Sequence, residues 1–178
     1  MRRRHPLPRI WLMTDERIAD LDGAIMRLPR GSGIVFRHYS LESGARRTLF
    51  NRVRALARRY RHVLLLADTP LRARAWGADG SHNRSTLQSQ GLRSAAVHDV
   101  HEHIVAIRAR ADLIFVSPVF QTQSHPGSRS LGRIGLALVA GKHRSRTIAL
   151  GGMNTIRARS LSSLKIHGWA AIDALSQP

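Results

Sequence analysis

His98 stands directly after the apolar run Arg93 to Val97 and just before Asp99. A histidine placed there can act as a general acid or base near neutral pH. A structural hydrogen-bonding role is the alternative. Further short apolar runs end on residues able to hold a ligand: Met13-Thr14-Asp15, Phe36-Arg37-His38, Leu66-Ala67-Asp68 and Ala149-Leu150-Gly151-Gly152. Asp68 is an oxygen donor for Mg²⁺ if others join it, or a helix cap. Gly151-Gly152, read as opening a helix, leaves main-chain N–H groups for a phosphate, with a tight turn as the alternative. His82 and His125 are further candidates, and Ser124-His125 beside Pro126-Gly127 could line an anion pocket. Three other chemistries find no support. His98, His101 and His103 make a poor metal cluster, because the spacing puts His103 off the face shared by the other two. No G-x-S-x-G elbow presents a serine nucleophile. With no cysteine, neither a thiolate site nor a disulfide framework can form.

The elements that would position these residues are short strands alternating with helices. The most informative stretch is Asp112 to Gly127, where Leu113 to Val116 stops at Ser117-Pro118 and passes into a polar loop with Gln121 and Thr122. A buried parallel strand ends this way when it delivers a functional loop. Strands are expected at Ile10 to Met13, Ile34 to Phe36, His62 to Ala67, Arg93 to Val97, Leu113 to Val116 and Thr147 to Leu150. Weaker runs are Ala78 to His82 and Gly168 to Ile172. Between them, Asp15-Glu16 should start a helix bearing Ile18, Leu21, Ile25 and Leu28, since acids suit a helix N-terminus. Glu42 to Tyr60 repeats Leu49, Val53, Leu56 and Ala57 at helical spacing, with Arg46, Arg47, Arg52, Arg54, Arg58 and Arg59 on a solvated face. Shorter helices are read at Leu71 to Trp76, after Asp99 with Val100, Ile104 and Ile107, from about Ile134 to Lys142, and from Asn154 to Leu164. Residues 83 to 90 lack an apolar face and read as a loop or shortened helix. Eight strands alternating with helices predict an α/β fold: a (β/α)₈ TIM barrel with shortened helices, in a single domain. An open doubly wound sheet is the alternative.

The chain has 178 residues and is 43% hydrophobic, enough for one full core. We read residues 1–9 as a basic tail and 10–178 as the barrel domain. The apolar segment after Met1-Arg2-Arg3-Arg4 is too short for a signal-peptide core, and no run suits a membrane span, so a cytoplasmic location without a membrane partner is expected. Twenty-nine Lys plus Arg against 11 Asp plus Glu give a net charge of +18, a field that attracts phosphorylated metabolites or polyanions. Almost all of it is arginine, read as a compositional bias spread over helix surfaces. Aromatics are few and no stacking platform is visible, so nucleic acid is not an expected partner. The sequence sets no oligomeric state.

Together these pieces resemble the thiamine phosphate synthase family, which includes the TenI-type thiazole tautomerases. The likeness rests on Ile10 to Asp15, Val63 to Asp68, Gly77 to His82, Val97-His98-Asp99, Ala111 to Thr122 and Ala149 to Met153. The most specific block is Ser117-Pro118-Val119-Phe120-Gln121-Thr122, similar to the family's G-P-V-F-x-T. The resemblance implies an enzyme of thiamine biosynthesis that joins hydroxymethylpyrimidine diphosphate to thiazole phosphate and releases diphosphate with Mg²⁺. It implies Asp68 as a magnesium ligand and Arg37, His82, Thr122, Ser124, His125, Gly151 and Gly152 as contacts to phosphorylated thiazole and pyrimidine. His98 matches the histidine that the tautomerase branch uses to move a proton, a reaction that implies no cofactor.

Several family positions differ. The second acidic metal ligand falls near Leu87, the lysine after Arg37 is lost in Arg37-His38-Tyr39, and a phosphate-binding serine appears as Asp173. Three readings follow: a synthase, a TenI-type tautomerase with His98 as acid/base, and a degenerate barrel binding a phosphorylated ligand or polyanion.

Overall fold

The computed structural model describes residues 6–83, 91–122 and 129–176. Eight parallel strands close into one barrel in chain order: β1 (Ile10–Met13), β2 (Gly33–Phe36), β3 (Val63–Leu66), β4 (Gly80–His82), β5 (Leu92–Val97), β6 (Leu113–Val116), β7 (Thr147–Ala149) and β8 (Gly168–Ala171). The seam pairs Leu12 of β1 with Ala171 of β8. The helices are α1 (Leu21–Arg27), α2 (Ser43–Tyr60), α3 (Pro70–Trp76), α4 (Val100–Arg108), α5 (Gly132–Ala140), α6 (Thr155–Ser160) and α7 (Asp173–Ser176). The expected single-domain barrel with trimmed helices is therefore present. The segment 84–90 lies outside the described residues.

Strand periodicity explains why β1, β2, β3 and β6 read as continuously apolar. Odd-numbered Trp11, Met13, Val35, Leu65, Leu113 and Phe115 point inward and fill the barrel. Their even-numbered neighbours Leu12, Ile34, Phe36, Leu64 and Leu66 face the helices, packing on Ile25, Phe50 and Val53. Both faces of each strand are buried, as parallel sheets require. Trp11 meets Phe115 edge-on inside the barrel at 5.6 Å, and its indole N–H donates to the Pro8 carbonyl at 2.8 Å. At Gly80 an added Cβ would stand 2.0 Å from the Leu92 carbonyl oxygen. Only glycine lets β4 lie against β5 there.

Several boundaries depart from the sequence reading. Helix α1 begins at Leu21, where the Asp20 carboxylate accepts from the Gly23 amide; Asp15 is drawn instead to Arg17 and Arg37. Thr69, not Asp68, caps α3, with Pro70 in its first turn. Helix α5 ends at Ala140 and continues as a 3₁₀ turn through Arg146, and the last long helix is a six-residue α6 followed by a 3₁₀ turn at Ser162–Leu164. The arginine face of α2 is not wholly solvated, because Arg46 is buried.

His103, on α4, is buried with neither ring nitrogen hydrogen-bonded among the described residues, 5.6 Å from the His143 ring. Burial first, then His143, lowers its pKa. Burial likewise lowers that of His62 and pushes His82 down to about 4. A base whose folded pKa is depressed stays neutral in the native barrel while the unfolded chain takes up a proton. The stability it supports is therefore present above the ordinary value of 6.5 and lost as pH falls toward 4. The urea midpoint should decline through that window. His103→Leu replaces an unbonded ring with an apolar group of similar size, and a Tm gain of about 2–4 °C at neutral pH is expected. A Tm loss at neutral pH would mean that His103 has a partner the described residues do not reveal.

Candidate active site

The carboxyl ends of the strands open into a cavity of about 830 Å³, the location barrel enzymes use. Of the residues singled out from sequence, Arg37, His82, His98, Thr122, Gly151 and Gly152 all line it. They come from the ends of β2, β4, β5, β6 and β7, so the barrel brings together what the sequence separates by more than a hundred positions. Ser124 and His125 lie outside the described residues. Asp68 does not line this cavity.

His98 is fixed at both ends. Its main-chain N–H donates to Glu102 at 2.7 Å, and its ring Nδ1 lies 2.7 Å from the Ser117 carbonyl oxygen. A carbonyl only accepts, so in the neutral ring Nδ1 carries the proton and Nε2 presents a lone pair. The cis bond between Ser117 and Pro118 belongs to the same turn. His82 forms part of the cavity floor, with Nδ1 2.8 Å from Ser94 Oγ and its ring edge-on to Phe115 at 5.0 Å. Its lowered pKa keeps it neutral, a hydrogen-bonding group without charge.

Gly151 and Gly152 both have positive φ, 92° and 61°. A Cβ on Gly152 would stand 2.2 Å from the Gln121 carbonyl oxygen, and one on Gly151 2.8 Å from Pro118 Cα. The pair is zipped to the loop after β6 through Val119 N–H to Leu150 O (2.9 Å) and Phe120 N–H to Gly151 O (3.1 Å). It forms a turn ahead of α6, not the helix's own first turn, because Asn154 is the cap. Arg157 donates to the Gly152 carbonyl and lies 5.0 Å over the Phe120 ring. It also lines the cavity, a cation the sequence reading missed. Its position in the first turn after the paired glycines was the available signal. Arg37 is the second cation, anchored by Thr14 O (2.8 Å) and Asp15 (2.5 Å). Asp173 opens α7 on the same rim.

Asp68 does not fit the magnesium role. Its Oδ2 receives Arg46 Nη1 at 2.8 Å and Arg72 Nη1 at 3.1 Å, and its Oδ1 the Thr69 amide at 2.7 Å. Burial opposes its ionisation, but the Arg46 hydrogen bond, the Thr69 amide and Arg72 outweigh that and hold the carboxyl below its ordinary range. Arg46 is fully employed in turn, donating to the carbonyls of Arg37 (2.9 Å) and Ala67 (3.1 Å). Its guanidinium carbon lies 5.6 Å from the Tyr39 and Trp76 rings. Among the described residues no group of three His, Asp or Glu is placed to hold a metal ion. Asp68 is the counter-ion of two arginines.

Comparison with known proteins gives a consistent picture. Residues 14–175 match the family model described as thiamine monophosphate synthase. A curated relative from Aquifex aeolicus (strain VF5), "Putative thiamine-phosphate synthase 2", is 29% identical over 183 residues, covering 93% of this chain and 96% of its own. Among solved structures, a thiamine phosphate pyrophosphorylase from Pyrococcus furiosus superposes with a TM-score of 0.80 at 22% identity, covering 96% of this chain and 88% of that one. One from Bacteroides thetaiotaomicron does so at 0.64 and 16% identity, covering 94% and 83%. At these identities the solved structures show the barrel alone.

Arg46→Ala would strand Asp68 with one exposed partner and open a hole beneath the aromatic rings, so a loss of about 2–4 kcal/mol in urea unfolding is expected. Millimolar Mg²⁺ should leave the wild-type unfolding midpoint unchanged, since a ligand that does not bind the native state cannot shift it. A Mg²⁺-induced rise that disappears in Asp68→Asn would make Asp68 a metal ligand after all.

Proposed function

Because the chain belongs to the thiamine monophosphate synthase family, we propose that its cavity binds a phosphorylated thiazole of thiamine biosynthesis and that His98 moves a proton on that ring. The observation that carries this reading is the contrast between two family positions. His98 is oriented, with Nε2 available as a base, whereas Asp68 is closed off by Arg46 and Arg72. A tautomerase needs one monophosphate and one proton shuttle. Arg157, Arg37 and the turn at Gly151-Gly152 offer the anion its partners. Asp173, on the same rim, disfavours a second phosphate there.

In this mechanism the His98 Nδ1–H bond to Ser117 O sets the ring's orientation and tautomer. Nε2 takes a proton from one carbon of the bound heterocycle and returns it to another. The imidazolium formed in between keeps its hydrogen bond to the carbonyl, which stabilises it. His82 stays neutral and donates or accepts at the cavity floor without competing for the proton.

The joining reaction is the second reading. It is favoured by the family description and by the name of the Aquifex relative, together with the retained Arg37 and Thr122.

The two separate cleanly in assay. Wild type should isomerise thiazole carboxylate phosphate, and His98→Ala should lower kcat by about 10²–10⁴-fold while the affinity for thiazole phosphate stays within about threefold. Equal rates would remove His98 from the chemistry. Incubation with hydroxymethylpyrimidine diphosphate, thiazole phosphate and Mg²⁺ should yield no thiamine phosphate. Steady product formation would install the synthase reading instead.

A further inference from the structure

In a parallel barrel every helix starts at the mouth and ends at the opposite face, so ordinary capping chemistry sorts charge by face. Acids favour helix N-termini and bases favour C-termini. Nine of the 11 acidic residues obey this. Asp20, Glu42 and Asp99 cap α1, α2 and α4. Asp22, Glu102 and Asp173 sit in first turns. Asp15, Glu16 and Asp68 lie in the loops that follow β1 and β3.

The opposite face, where the strands begin, carries the complement. Arg9, Arg30, Arg61, Arg110, Lys142 and Lys165 stand in its connecting segments, all exposed. The 3₁₀ turn before β7 adds exposed Arg144 and Arg146. Among the described residues none of these eight forms an ion pair. The two acids on this face are committed elsewhere, Asp79 to the Leu64 amide and Asp112 to the Arg93 amide, at 2.8 and 2.9 Å.

A second observation concerns where the cations sit. Arg61, Arg110 and Lys165 have φ of 60°, 58° and 52°, and each occupies the residue after or just beyond a helical turn. Glycine is the ordinary occupant of that left-handed position, and a side chain there costs about 1 kcal/mol. Three basic residues in three equivalent corners of one face keep charge where backbone economy would place glycine.

We propose that the strand-start face of the barrel is a docking surface for the phosphate backbone of nucleic acid, independent of the cavity at the mouth. Its eight cations occupy six of the segments that lead into the strands, three of them sharing the turn before β7, and a spread of this kind suits a chain of phosphates better than one anion. Six of the eight are arginines, whose guanidinium forks match phosphate oxygens. A membrane surface fits less well, because the exposed large apolar side chains, such as Val100, Ile134 and Ile156, lie on helices and none lies in these loops. No base-reading group is assigned, so binding is expected to be indifferent to sequence and steep in salt.

Fluorescence anisotropy with 20-nucleotide single-stranded RNA and DNA, and with anionic vesicles, tests this in full-length protein. Neutralising about five phosphates predicts a slope of about −3.5 in log K against log salt for single strands. Arg61→Gly/Arg110→Gly/Lys165→Gly removes three cations at positions glycine favours. Its Tm should hold or rise, its slope should become shallower by about 2, and its affinity near physiological salt should fall at least about tenfold. Arg17→Gln/Arg129→Gln/Arg133→Gln removes as many charges from exposed positions on the mouth side, after β1 and at the start of α5, and should change the slope by less than half as much. Equal losses in both triples would assign the effect to net charge and overturn the docking face. So would tighter binding to vesicles than to either nucleic acid, or no binding to either at 100 mM salt.

Discussion

Everything in this molecule depends on closing eight parallel strands around side chains that fill the space between them. Trp11, Leu65, Leu113 and Phe115 occupy that interior, and their neighbours in sequence face outward to the helices. Parallel closure has two consequences that no single element carries. Every segment following a strand reaches the same face, which assembles the cavity. Every helix also points the same way, so local capping preferences add up to a separation of charge across the whole molecule.

The strand ends hold a committed ion pair outside the cavity and an uncommitted base within it. Asp68 and Arg46, with side chains 15% and 9% exposed, neutralise each other where a cation would otherwise be needed. The geometry thus spends its carboxylate on stability. His98 is oriented through a main-chain carbonyl, an interaction that leaves its second nitrogen for chemistry. The cavity cations, Arg37 and Arg157, are each tethered to backbone oxygen, which limits how far they must reorganise around an anion.

Much of this was legible in the chain itself. Strand count, parallel order and the residues at the strand ends follow from short apolar runs closed by polar or glycine residues, because burial on two faces leaves no alternation to confuse. The strand at Gly80–His82 was hard to see, since three residues carry too little pattern and its glycine is there for backbone clearance. The start of α1 was misplaced because Asp15 has a partner 22 residues away in Arg37, an attraction that local propensity does not contain. Arg46 was hidden for the same reason: an arginine in a run of arginines reads as surface until the fold sets Asp68 and three aromatic rings around it. Arg157 became visible only when the loop after β6 was laid beside it.

The seam between β1 and β8 constrains how the chain can fold during synthesis. His167 bonds the Pro8 carbonyl across 159 residues of sequence, and Trp169 N–H reaches Arg9 O at 2.8 Å. Such contacts close a very large loop, and their entropy is recovered only late. On a ribosome the first strand must therefore wait, its tryptophan unsheltered, until β8 has emerged, and the exposed apolar strand favours self-association of the nascent barrel in that interval.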